Sequence, residues 1–272
     1  MTACGRIGFR ESSERKHKEM ELTEHVQPRA VDTMQGWRWI VAGFRLFARS
    51  PLIWIVFFII YMVLELALAL FIPVIGAIGA AFLDPLLIAG FMAGCRALEL
   101  GEEMELPHLF AAFSANWRQF TALGGVYLGG KMLIVIFAMV VGNVLFGPLP
   151  ELDFAKLDPA DPALQSALAH YMVIALLVLA LLVPLLMAYW FAPALLLFDG
   201  LSAVPAMKLS FAACVRNIMP FTVYGVVGMA LFVVGSIPLG LGLLAAIPVL
   251  FATSLYASYR DIFVVETVHE AE

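Results

Sequence analysis

The sequence predicts an all-α integral membrane protein. Its six transmembrane helices fall into three parallel repeats, each an interfacial helix followed by a helical hairpin. Three observations lead there. Hydrophobic residues make up 62% of the 272 and charged residues only 14%, whereas soluble domains hold roughly 45–50% apolar and about 25% charged residues. The apolar residues gather into six runs, each near the roughly 20 residues that a spanning helix requires. Of the 16 lysines and arginines, Lys131 falls inside a run and Lys156 in the loop between the third and fourth; the other 14 sit outside the runs, at alternate ends of them.

The chain opens on a polar stretch, residues 1–35, in which "ESSERKHKEM" (11–20) is too rich in charge to bury a core and is expected to be disordered. No cleavable signal is visible, because the first apolar run begins only near Pro51. Met20 is a second candidate for the natural start. The six runs then occupy 51–72, 74–95, 121–146, 170–197, 219–236 and 239–259. "FIPVIG" (71–76) and "GSIPLG" (235–240) read as tight turns, since Pro and Gly break a helix where antiparallel neighbours must reverse. The middle pair is joined by a longer loop, 147–168, carrying Glu151, Asp153, Asp158 and Asp161. With six spans those 14 basic residues fall on one side, and the positive-inside rule makes that side cytoplasmic, with both termini there and the acidic loop outside. Residues 263–272 form a short cytoplasmic tail, and 36–262 the membrane domain.

The repeat appears when "GFRLFARSPLIWI" (43–55), "AFSANWRQFTALG" (112–124) and "SFAACVRNIMPFT" (210–222) are aligned without gaps. Phe44, Phe113 and Phe211 coincide, and five places later so do Arg49, Arg118 and Arg216. Pro107 and Pro205 precede their phenylalanines by six positions, where the first copy has Arg38. The returning spans match too: "PLLIAGFMAG", "PLLMAYWFAP" and "PVLFATSLYA" begin at Pro85, Pro184 and Pro248. Interfacial helices are expected near 37–49, 107–117 and 205–216. Leu106, Leu109, Phe110, Phe113 and Trp117 share one helical face, as do Val204, Met207, Phe211 and Cys214. Such helices lie in the headgroup plane, and Arg49, Arg118 and Arg216 would anchor them among phosphates.

Three ionisable residues fall inside the spans. Asp84 and Lys131 lie roughly 16 Å from the cytoplasmic ends and Glu65 about 5 Å further. A charge at that depth faces protein or water, so Glu65, Asp84 and Lys131 are read as a buried pair or triad that fixes which spans are neighbours, or as an ion path. Pro85, Pro184 and Pro248 are candidate kinks, because proline removes one backbone hydrogen bond and crowds the turn before it. Gly90 with Gly94, and Gly125 with Gly129, have the spacing that allows close helix approach.

Other patterns fail on context. "GVYLGGKM" (125–132) has Met132 where a phosphate loop needs Ser or Thr, and it lies inside a span; "GLGLLA" (240–245) mimics a dinucleotide fingerprint in the same setting. The five histidines show no metal-ligand spacing, and Cys4, Cys95 and Cys214 form no framework. No catalytic, cofactor or metal residues are therefore assigned, and no cofactor is expected. The acidic balance, with net charge -5, speaks against nucleic acid as a partner.

"GWRWIVAGFRLFARSPLIWI" and "FAPALLLFDGLSAVPAMKLSFAACVRNIMPFTVYG" resemble a family of proteobacterial inner-membrane proteins of unknown function, over roughly residues 36–260. More distantly, the text is similar to the membrane domain found beside some glycerophosphodiester phosphodiesterases. The resemblance implies a multi-pass helical protein of the cell inner membrane and transfers no site residues. The expected role is a non-enzymatic component that organises lipids or partner membrane proteins, other copies of itself included. The alternatives are a small-solute or ion transporter using the intramembrane charges and an intramembrane lipid-modifying enzyme.

Overall fold

The computed structural model describes residues 26–71, 73–147, 162–237 and 239–264. The outer parts of both expected tails and most of the middle loop lie outside them. Among the described residues every regular element is helical. In chain order these are α1 (Gln35–Arg49), α2 (Pro51–Phe71), α3 (Pro73–Glu99), a 3-10 turn (Leu106–Phe110), α4 (Ala111–Ser114), α5 (Trp117–Phe146), α6 (Pro162–Trp190), α7 (Ala192–Phe198), α8 (Ala203–Arg216), α9 (Ile218–Ser236), α10 (Leu243–Pro248), a π-turn (Val249–Thr253) and α11 (Ser254–Phe263). Six stretches are long and apolar enough to cross a membrane: Pro51–Leu70, Ile75–Glu99, Trp117–Leu145, Leu164–Phe198, Ile218–Ser236 and Leu243–Phe263. Their outward faces are apolar, as at Leu70, Val144 and Met229, all more than 60% exposed. In water such a surface would drive aggregation; against acyl chains it is the expected exterior.

Helices in lipid gain little from apolar burial alone, so close backbone approach supplies much of the cohesion. Glycines make that approach here. A methyl group at Gly76 would stand 1.9 Å from the Leu68 carbonyl oxygen, which shows how tightly α3 folds back on α2. At the third hairpin, Gly242 would likewise meet Gly235 at 2.7 Å, and the turn between them uses Gly240 at φ +78° and Leu239 at φ +51°. The amphipathic helices pack by the same device. On α1, a β-carbon at Gly36 would lie 2.1 Å from the Pro220 carbonyl, and one at Gly43 would lie 2.3 Å from Ser254 Oγ. Thr253 adds a hydrogen bond to the Gly43 carbonyl at 2.9 Å. α1 therefore lies on the third hairpin, α9 to α11. The 3-10 turn and α4 lie on α3, where Gly90 admits the Leu109 carbonyl. α8 lies on α6: Ser210 Oγ donates to the Met187 carbonyl at 2.7 Å and accepts from the Phe191 N–H at 2.9 Å.

The second amphipathic segment is shorter than the spacing predicts. It stops at Ser114, because Ala115 is extended (ψ -156°), and α5 starts afresh at Trp117. Arg118 consequently lies in the first turn of α5, whereas Arg49 and Arg216 close α1 and α8.

Hydrogen bonds gather helix ends at one end of the bundle. Arg49 donates to the Leu98 carbonyl at 2.6 Å, joining the end of α1 to the end of α3. The Ala203 N–H donates to Gln119 at 3.1 Å, and Tyr259 to Asp199 at 2.6 Å. Residues 26–34, which the sequence places in the polar tail, run as an irregular strap across this same end. The Arg29 N–H bonds the Ile262 carbonyl at 3.0 Å. Asn217 accepts from the Val31 N–H and donates to the Arg29 carbonyl, and Arg216 donates to the Pro28 carbonyl at 3.1 Å. A strap held by backbone groups leaves no periodic signal in its side chains, which is why the sequence reads only as polar.

Candidate functional site

The three intramembrane charges converge where α2, α3 and α5 face α6, and tyrosines stand between them. Tyr61, one turn before Glu65 on α2, donates to Asp84 Oδ1 at 2.8 Å. Tyr127, one turn before Lys131 on α5, offers its ring to the ammonium, with Nζ 4.3 Å from the ring centroid. A cation over an aromatic face is stabilised by the ring quadrupole, more strongly where water is scarce. Tyr127 also stacks on Tyr189 from α6, centroid to centroid 4.2 Å and 23° apart in plane. Lys131 and Glu65 are near enough to act electrostatically on Asp84, yet no nitrogen–oxygen contact within 4.0 Å joins lysine to carboxylate. The structure thus brings Glu65, Asp84 and Lys131 into one neighbourhood and bridges them through tyrosines, not by direct ion pairing. Glu65 Oε1 and the Tyr189 hydroxyl are buried without a hydrogen-bond partner.

The tyrosines were available to a reading of the sequence. Tyr61–Glu65 and Tyr127–Lys131 are both i, i+4 pairs, so each pair shares a helix face. Tyr189 had no such signal, because only the packing of α6 against α5 aims it at the cluster.

Beside the cluster, α2, α3 and α6 leave a cavity of about 460 Å³ against α10 and the π-turn. Its wall is aromatic and aliphatic, with Phe58, Phe91, Trp190 and Phe251 prominent and Tyr61 and Tyr189 at the polar edge. The Trp190 Nε1–H is buried there with no acceptor.

The prolines behave differently from one another. Pro85 and Pro184 lie inside helices that continue past them, to Glu99 and Trp190. At Pro248 the backbone passes from α10 into the five-residue π-turn, and Pro248 itself lines the cavity. The interruption in the fourth span comes after Pro184, at Phe191, where Pro193 opens α7 and Ser210 takes up the freed backbone groups.

Of the three arginines expected to be anchors, Arg49 and Arg216 each spend one donor on a backbone carbonyl, and Arg118 lies over the Trp117 ring at 5.9 Å; all three stay exposed. "GVYLGGKM" lies wholly within α5, so its glycines form no phosphate-cradling loop. Cys95 and Cys214 are free and buried. Burial pushes the Cys214 thiol up to about 12, which leaves it unreactive at neutral pH.

A "probable inner membrane protein" of Burkholderia thailandensis is 30% identical to this chain over 257 residues, covering 87% of this chain and 93% of that protein. No family model matches the chain, and no solved structure matches it.

Proposed function

The chain belongs to the family of that Burkholderia thailandensis inner membrane protein, and on that premise we propose that it is a non-enzymatic multi-pass component that organises lipids or partner membrane proteins. The observation that carries this reading is the aromatic-walled cavity of about 460 Å³ between spans. Its lining is almost wholly apolar, as a site for acyl or other hydrocarbon chains requires, and its size falls in the range of ordinary ligand pockets. The exposed apolar flanks of the amphipathic helices, with Phe44, Phe113 and Phe211 at 38%, 41% and 40% exposure, suit contact with lipid at the interface.

The finer architecture belongs to the same reading. The three aligned phenylalanines share one degree of exposure. Ile40, Leu109 and Met207, each four places before one of them, are all buried. Each amphipathic segment covers the hairpin before it in cyclic order: α1 the third, the 3-10 turn and α4 the first, α8 the second. Three parallel repeats about a pseudo-threefold axis account for that order. The arginine-rich end then faces the cytoplasm with both termini.

One observation favours a second reading, a transporter of small solutes or ions. Asp84 is held at depth by a tyrosine hydroxyl instead of a salt bridge, and a carboxylate so placed is free to exchange a proton or cation. Replacing both charges separates the two. Under the organising role, Asp84→Leu with Lys131→Leu leaves folding, oligomeric state and lipid retention unchanged, within about 1 kcal/mol of stability, because removing both opposite charges together also removes the cost of desolvating them. Proteoliposome flux and thermal unfolding in mild detergent check it. A folded double variant that has lost a solute flux measured in the parent establishes the transporter.

A further inference from the structure

Two grooves adjoin at the arginine-rich end, between α1 and α11. The larger, about 480 Å³, runs past Arg38, Arg45 and Arg260; the smaller, about 200 Å³, past Arg45, Arg49 and Arg260. They share a floor of Ala42 and Ala257 and a rim of Arg45 and Arg260. Small side chains on the floor leave room for a bulky group. The rim arginines come from sequence spacing: Arg38, Arg45 and Arg49 lie seven and four residues apart, one stripe on the side of α1 opposite its buried face of Gly36, Trp39, Ile40, Gly43 and Phe47.

The charge of the three α1 arginines is not met by any ion pair among the described residues. Both carboxylates in the grooves are already used from within the protein. Asp261 takes Arg29 at 2.8 Å on one oxygen and the Trp39 indole N–H at 2.9 Å on the other. Glu99 takes Arg260 on one oxygen and Tyr256 at 2.5 Å on the other. That leaves the three guanidiniums of α1. Arg38 bonds only the neutral Gln35 at 3.2 Å, Arg49 only the neutral Leu98 carbonyl, and Arg45 has no hydrogen-bond or ion-pair partner among the described residues. Planar guanidinium forks of this kind match phosphate oxygens.

The depth of the groove selects the source of the phosphate. Along the flank of α1 next to the arginine stripe, Trp37 and Phe44 are 47% and 38% exposed, and Leu52 at the start of α2 is 76% exposed. Aromatic and aliphatic groups left bare beside arginines mark the headgroup level of a bilayer.

We propose that this double groove binds the headgroup of a two-phosphate anionic phospholipid, one phosphate in each groove with Arg45 and Arg260 between them. The proposal rests on the lipid-organising reading and names the lipid class. Basic pockets at the cytoplasmic ends of spans are suited to such headgroups.

The test uses the full-length protein in mild detergent and native mass spectrometry, with cardiolipin, phosphatidylglycerol and phosphatidylethanolamine as probes and inorganic phosphate as competitor. Wild type should retain cardiolipin in preference to both other lipids, and inorganic phosphate should not displace it. Arg38→Ala with Arg45→Ala should weaken cardiolipin retention roughly tenfold or more. Ala42→Trp, which fills the shared floor without changing charge, should do the same, while Lys208→Ala, on α8 away from the grooves, should leave retention unchanged. Cardiolipin held equally by the double arginine variant, or lost equally in Lys208→Ala, overturns the proposal, as does displacement by inorganic phosphate. Equal retention of phosphatidylglycerol or phosphatidylethanolamine by wild type also overturns it and leaves the lipid-organising reading standing. Wild type that retains no lipid removes both.

Discussion

At the arginine-rich end of the bundle, the carboxylates of Asp261 and Glu99 meet arginines; at mid-depth the charged groups meet tyrosines. Near the end, Arg29 and Trp39 share Asp261, and Arg260 and Tyr256 share Glu99, so each carboxylate has both oxygens engaged. At mid-depth, Asp84 accepts from Tyr61 and Lys131 lies over Tyr127, while Glu65 keeps a buried oxygen without a partner. The difference follows from the surroundings. An ion pair at the headgroup level keeps part of its hydration, so full satisfaction is reached with ordinary geometry. Deep among spans, bringing unlike charges together requires that both lose water, and desolvation offsets most of the attraction. A hydroxyl or an aromatic face gives each charge a partner without that cost. The end of the bundle therefore acts as a clasp that joins helix termini and the strap, and the mid-depth cluster is expected to contribute less to holding the spans together.

Trp39→Ala makes the largest break in this comparison. The indole is 2% exposed, packs on Phe221 and Tyr224, and donates to Asp261. Its loss should cost about 3–5 kcal/mol, against the near-neutral outcome expected for Asp84→Leu with Lys131→Leu. Thermal unfolding of both variants in one detergent reads the contrast directly. Equal losses would mean that the mid-depth cluster is as structural as the clasp.

A smaller effect sharpens the comparison through pH. Asp199, just beyond the fourth span, is half-buried; burial raises its carboxyl above the usual range, and the Tyr259 hydrogen bond and the Arg96 charge only partly oppose this. A group whose folded pKa is raised stabilises most where it is protonated in both states. That contribution falls away as pH climbs from the ordinary carboxylate range through the folded value. Asp199→Asn keeps an acceptor for Tyr259 and should flatten the slope, so that the variant matches wild type at low pH and exceeds it modestly near neutrality. Parallel pH–stability curves for variant and wild type would show that Asp199 is not the group responsible.

Much of this was legible beforehand. The six spans followed from run length, and the arginines at the ends of α1 and α8 followed from their alignment five residues after a phenylalanine. What the sequence left hidden had tertiary causes. The strap at 26–34 is ordered by Asn217 and Arg216, nearly two hundred residues away. The fourth span opens at Phe191, beyond Pro184, because Ser210 on α8 is there to receive the backbone. The cavity depends on the π-turn after Pro248, a local rewinding that a proline permits but does not by itself specify. At mid-depth, the charges were visible as exceptions to apolar text, and Tyr61 and Tyr127 lie four residues before Glu65 and Lys131; Tyr189 alone was hidden, because only the packing of α6 against α5 brings it to Tyr127.

The central claim is that hydrocarbon surrounds six spans and that the arginine-rich end lies in the cytoplasm. Paired reporters test it most directly, one inserted within residues 148–161 and one fused after Glu272, each read by alkaline phosphatase activity and by fluorescence of a cytoplasm-dependent fluorophore. The account predicts that the first shows phosphatase activity alone and the second fluorescence alone. Both reporters active in the same compartment, or the two patterns exchanged, would contradict it.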